Sequence, residues 1–144
     1  MTGKICLVIA VSAALSMSAA CGKKGPPVPP PVEFSAALTK LNADVDPGRV
    51  LLEGIVYGLE SDLRSVTGCT VYHAWYPPGA PPCEGCPLDY REMETFRGQV
   101  VRNDVFSCRV PWHGEPGFHF FRVRLMGPGD RHGPPSPGVR VDRP

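Results

Sequence analysis

No apolar run in this chain is long enough to cross a bilayer as a stop-transfer helix. The longest, residues 5–15, has Ser12 as its one hydroxyl and falls short of the roughly 20 residues that a span requires. An excess of either charge is missing too. Lys and Arg number 15 against 14 Asp and Glu, and Lys4 is the only charged residue among the first 20, so the remainder is balanced. Arginines gather after residue 90 with acids interleaved, which reads as a solvated strand face. Nothing forms the basic footprint that nucleic acid needs. Helix-compatible composition is also lacking. Gly and Pro number 16 and 18, and proline breaks helix interiors. Two proline clusters, Pro26, Pro27 and Pro29 to Pro31, then Pro77, Pro78, Pro81 and Pro82, suit a tail and a loop-rich β domain.

Catalytic signatures are absent as well. No Ser/His/Asp order is recognisable, and no glycine-rich loop joins a strand to a helix for phosphate. Structural zinc needs four ligands. The chain has one Cys-x-x-Cys, and His73, His113, His119 and His132 show no ligand spacing. Haem attachment needs His directly after the second Cys, and Pro87 stands there. Glu84, Asp89, Glu92 and Glu94 read as solvent-facing acids. The expectation is a non-enzyme with no catalytic residue, no metal and no cofactor.

What is present begins with an export signal. A basic start ending at Lys4, the apolar run and the small residues 16–20 make residues 1–20 a secretory signal peptide. Ser18-Ala19-Ala20-Cys21 resembles a lipobox, where a dedicated peptidase cuts just before a lipid-modified cysteine. The family pattern carries Leu where Ser18 stands, and Ser18-Ala19-Ala20 also satisfies ordinary signal-peptidase cleavage. Cysteine parity favours the lipid. Of Cys6, Cys21, Cys69, Cys83, Cys86 and Cys108, cleavage removes the first. Five would remain in an oxidising compartment, whereas a diacylglycerol and acyl chain on Cys21 leave an even four.

Residues 21–31 read as a Pro-rich tether with polyproline II preference. Ten such residues reach roughly 30 Å, and Lys23 and Lys24 can sit against anionic headgroups. Cys21-Gly22-Lys23-Lys24-Gly25-Pro26-Pro27 resembles the opening of small proteobacterial lipoproteins associated with lipopolysaccharide assembly. With Gly22 in place of the aspartate that retains lipoproteins in the inner membrane, the resemblance implies the outer membrane, facing the periplasm.

Residues 32–144 read as one all-β domain. Candidate strands cover 36–43, 49–57, 68–76, 88–96, 103–110, 117–126 and 139–141, with a proline- and cysteine-rich loop over 77–88. Asp46-Pro47-Gly48 is a turn, because proline presets φ and glycine allows φ > 0. Such spacing predicts a β-sandwich of about seven strands. Phe118-His119-Phe120-Phe121-Arg122-Val123-Arg124-Leu125, followed by Gly133-Pro134-Pro135-Ser136-Pro137-Gly138-Val139, resembles the closing hairpin of fibronectin type III domains. The resemblance implies inward positions for Phe121, Val123 and Leu125. The chain departs from it in two places: His119 or Phe118 stands where the corner tyrosine belongs, and residues 49–57 have no tryptophan, Trp75 and Trp112 lying elsewhere.

The four remaining cysteines allow three pairings, of which Cys83–Cys86 with Cys69–Cys108 is preferred. Cys83 and Cys86 are close by necessity, and Cys69 and Cys108 sit on strands that can both face the core. An inter-strand bridge closing the loop from 69 to 108 would add roughly 3–4 kcal/mol in the chain-entropy account. Trp75, Tyr76 and Tyr90 are candidate partner contacts, and His73 with Trp75 can line a pocket. The functional expectation is a lipid-anchored binding or scaffolding module whose partners are the membrane and an envelope protein or glycan. The alternatives are a thiol–disulfide redox lipoprotein using Cys83 and Cys86, or an accessory of lipopolysaccharide assembly.

Overall fold

A computed structural model describes residues 33–144. The signal peptide expected over 1–20, the expected lipidation site Cys21 and the tether expected over 21–31 lie outside the described residues. Eight strands form: β1 (Ala37–Asp46), β2 (Arg49–Tyr57), β3 (Gly68–Tyr76), β4 (Arg91–Arg97), β5 (Val101–Arg102), β6 (Val105–Pro111), β7 (Gly117–Met126) and β8 (Val139–Arg143). They build two four-stranded sheets, ordered β1-β2-β6-β5 and β4-β3-β7-β8, with every pairing antiparallel.

Period-two alternation writes the two layers. In β7 buried and half-buried residues alternate along the strand, so His119, Phe121, Val123 and Leu125 face inward as a half-covered strand requires. β2 sends Val50, Leu52 and Val56 into the same core, and β6 sends Phe106, Cys108 and Val110. The three inward positions implied by the fibronectin-like hairpin are as expected. The core also takes Trp112, just past the end of β6 and 6% exposed. It stands edge-on to Phe121, with ring centroids 5.5 Å apart. The buried tryptophan of this core thus stands past the end of β6, and β2 has none.

Three local readings need correction. The strand expected over 103–110 starts later, because Asn103 and Asp104 both have positive φ (51° and 61°). They make the tight turn of a hairpin between β5 and β6, a conformation that Asn and Asp tolerate. The strand expected over 88–96 runs Arg91–Arg97, since Tyr90 N–H bonds the Leu88 carbonyl in a local turn. A one-turn helix not foreseen, α1 (Glu60–Arg64), links β2 to β3. Among the described residues no helix is long and apolar enough to cross a membrane.

The sandwich has two poles. Ser35 donates from both N–H and Oγ to Asp62, and Leu59 N–H donates to Ser35 Oγ. The incoming chain is therefore fixed beside α1 and the end of β2, at an entry pole. The Asp46-Pro47-Gly48 turn, Trp112, Pro116 and the last residues of β8 lie at the far pole.

Ser136 locks the closing hairpin. It is 3% exposed; its Oγ accepts from Val123 N–H and donates to the Pro137 carbonyl, and its own N–H reaches the Val123 carbonyl. Ser136→Ala leaves the Val123 N–H buried without its partner, which costs about 1–3 kcal/mol. Urea unfolding of the variant should show that loss, and an unchanged midpoint would remove Ser136 as the lock.

Candidate functional site

β3 ends at the far pole, and there its side chains meet the start of β4. A cavity of about 420 Å³ opens between them, lined by His73, Trp75, Tyr76, Asp89, Arg91 and Met93 among others. Alternation puts His73 and Trp75 on the same face of β3. Trp75 is 42% exposed, and its indole N–H donates to the Pro116 carbonyl at 3.3 Å. The indole nitrogen packs against Gly117, which has φ +141°; a Cβ there would strike the indole nitrogen and the Tyr76 carbonyl. Glycine at 117 is thus what seats the tryptophan.

Behind this rim lies an arrangement that sequence spacing did not show. His73 Nε2 and His119 Nδ1 are 3.0 Å apart, and His119 Nε2 is 2.7 Å from the Glu115 carbonyl. A carbonyl can only accept, so His119 Nε2 carries the proton and its Nδ1 is the acceptor. His73 Nε2 must then be the donor, and the neutral pair has one arrangement of protons. His119 is 1% exposed and stands edge-on to Trp112, while His73 stacks on Phe121. Burial, aided by the neighbouring His119, pulls the His73 pKa from 6.5 down to about 4. His73 is therefore neutral at pH 7, able to hydrogen-bond but carrying no charge. Both histidines lie in the inward phase of their strands, and that phase was the available signal.

The loop between β3 and β4 lies over the outer face of the second sheet. Cys83 and Cys86 are joined as a disulfide across a turn closed by Cys86 N–H to the Cys83 carbonyl. Leu88 and the two cysteines approach Phe120 and Arg140. Tyr76 Oη accepts from Asp89 N–H and its ring meets Phe120 edge-on, so one face of the residue is used internally. Tyr90 is half-buried beneath the Arg122 guanidinium, 4.4 Å from its ring centroid, and burial raises its pKa. Of the three candidate contact residues, Trp75 offers the most open surface; Tyr76 joins it on the cavity wall, and Tyr90 sits outside the cavity lining.

Cys69 on β3 and Cys108 on β6 face each other across the two sheets, both buried, as thiols rather than as the expected disulfide. The hydrogen bond to Cys108, reinforced by burial, holds the Cys69 thiol far above the ordinary range, and the sulfur that accepts that bond is pulled the other way. Among the described residues no group of three or more His, Cys, Asp or Glu is placed to hold a metal ion.

No protein-family model matches this chain, and no curated protein matches it. Solved structures do. The third fibronectin III domain of human KIAA0343 protein superposes with a TM-score of 0.55 at 17% identity, covering 85% of this chain and 94% of that one. A myokine structure gives a TM-score of 0.46 at 14% identity over 76% of this chain and 98% of its own. The first likeness shows the fold: an all-β sandwich of fibronectin III type.

Proposed function

We propose that this chain is a non-enzymatic, lipid-anchored module of the bacterial cell envelope that binds an envelope protein or glycan at the far pole. The observation that carries it is Trp75, exposed at the mouth of the cavity and held in one orientation by Pro116 and Gly117. Rigid aromatic surface beside hydrogen-bonding groups is the usual anchor of a recognition site. Fibronectin III-like domains typically serve as such modules, which favours binding over catalysis. The anchor itself is supported by residues 18–31 and by cysteine parity. The outer-membrane placement and the lipopolysaccharide-assembly role draw on residues 21–27 alone.

A specific feature speaks for the redox alternative: Cys83 and Cys86 are exposed. Against it, redox Cys-x-x-Cys pairs draw their reactivity from a helix N-terminus, and this pair closes a turn. One membrane preparation tests these readings together. Its intact mass should equal residues 21–144 plus acyl chains, two hydrogens below the fully reduced chain with Cys83–Cys86 alone closed and four below it with Cys69–Cys108 closed as well. From the same membranes, a photo-crosslinking residue at position 75 should capture one discrete partner, and one at exposed Ser107 on the other sheet should not. An unacylated mass defeats the anchor, and identical capture patterns at the two positions defeat the site.

A further inference from the structure

We infer that the entry pole carries a second contact surface, which lies on an anionic lipid bilayer through a row formed by Lys40, Ile55, Val105 and Arg102. The registers place these four opposite one another: Lys40 with Ile55, Ile55 with Val105, Val105 with Arg102. Opposed residues in antiparallel strands share a face, so one row crosses the whole first sheet in the order cation, apolar, apolar, cation. The bulge between Leu38 and Lys40 sets the phase, turning Leu38 inward and Lys40 outward. Ile55 and Val105 are 56% and 48% exposed, and Tyr57, two residues along the same face, is 49% exposed. Leu59, just past the strand, is 64% exposed.

Large apolar side chains in a contiguous exposed patch mark an interaction surface, and charge selects its occupant. Among the described residues Lys40 and Arg102 make no ion pair, whereas Arg49, Arg64, Arg91, Arg97 and Arg140 each have an acid partner. Of the nearby acids Glu60 is paired with Arg64, while Asp62 accepts two hydrogen bonds from Ser35 and keeps its charge, turned towards Ser35. Glu53 lies one row further on, and Asp104 sits in the adjoining turn. Unmatched cations flanking an apolar centre complement negative headgroups above acyl chains. The far end of the same sheet face carries Asp44, Leu51 and Arg109 and lacks this pattern. The chain joins the domain at the same pole, through Ser35. The orientation on the membrane rests on the anchored reading above; the lipid affinity of the row does not.

The test uses the mature chain, residues 21–144, with Cys21→Ala, which carries neither the apolar leader nor an acyl group, sedimented with phosphatidylcholine vesicles with and without phosphatidylglycerol. The chain should partition onto the anionic vesicles, stay free of the neutral ones and be released by molar salt. Lys40→Gln with Arg102→Gln should lower the partition roughly 20–30-fold, and Ile55→Ser with Val105→Ser several-fold, with native circular dichroism in each. Arg109→Gln on the same sheet is the control and should leave it unchanged. Equal partition on both vesicle types, no effect of the double Gln variant, or an equal effect of Arg109→Gln would overturn the inference. Because the probe carries no lipid, these results stand apart from the intact mass that decides the anchor.

Discussion

Replacing Trp112 with alanine should cost about 3–5 kcal/mol, the range for emptying a buried aromatic site. Trp112 is 6% exposed and stands edge-on to both Phe121 and His119. Its backbone N–H closes the far pole on the Gly48 carbonyl, and Gly114 packs against the indole. The backbone of Trp112 therefore ties the β6–β7 segment to the β1–β2 turn, while its indole fills the core against Phe121 and His119 of β7, and truncation would empty that space. Urea unfolding followed by circular dichroism measures the loss. Trp112→Phe should recover part of it by keeping an aromatic edge against Phe121. A loss below about 1 kcal/mol, the size of an ordinary surface substitution, would mean that Trp112 does not hold the pole together.

Acid should weaken the fold before the carboxylates titrate. His73 ionises near pH 4 in the folded chain and near 6.5 when unfolded, chiefly because of burial and secondly because of His119. Between those values the unfolded chain binds the extra proton, so stability is full above pH 6.5 and declines as pH falls towards 4. A gap of this size corresponds to as much as about 3 kcal/mol. Asp62 and Asp130 are held low by Ser35 and Arg97 respectively. Their contribution is lost only as pH falls through the carboxylate range, below most of the histidine window. His73→Gln separates the two. Its amide can still donate to His119 Nδ1 but cannot titrate, so the slope between pH 6.5 and 4 should flatten while the acid limb remains. Equal slopes in wild type and variant would show that His73 is not the titrating group.

Much of the architecture could be read from residue order because half-covered strands announce themselves by alternation. β7 shows it most plainly, and Asp46-Pro47-Gly48 marks its turn by conformational necessity. What escaped the reading had no local signature. α1 has five residues and no buried side chain, too little for a 3.6-residue period. Asn103 and Asp104 sit inside an alternating run, and only their positive φ divides it. Trp112 follows Pro111 outside the strand pattern, so its place in the core depends on contacts with His119 and Phe121 of β7 that only packing reveals. His73 and His119 lie 46 residues apart and meet through the β3–β7 register. Their inward phase was visible in each strand separately, but the proton order of the pair depends on the Glu115 carbonyl. Cys69 and Cys108 were placed correctly as facing residues, and their thiol form is what differs.

The opposition of the two poles sets a length. β7 spans ten residues from far pole to entry pole, about 30 Å at the rise of a strand. The cavity beside Trp75 and the entry pole therefore stand about that far apart along the strands. The number of residues in a strand fixes this separation, so molecules seated at the two ends would not collide.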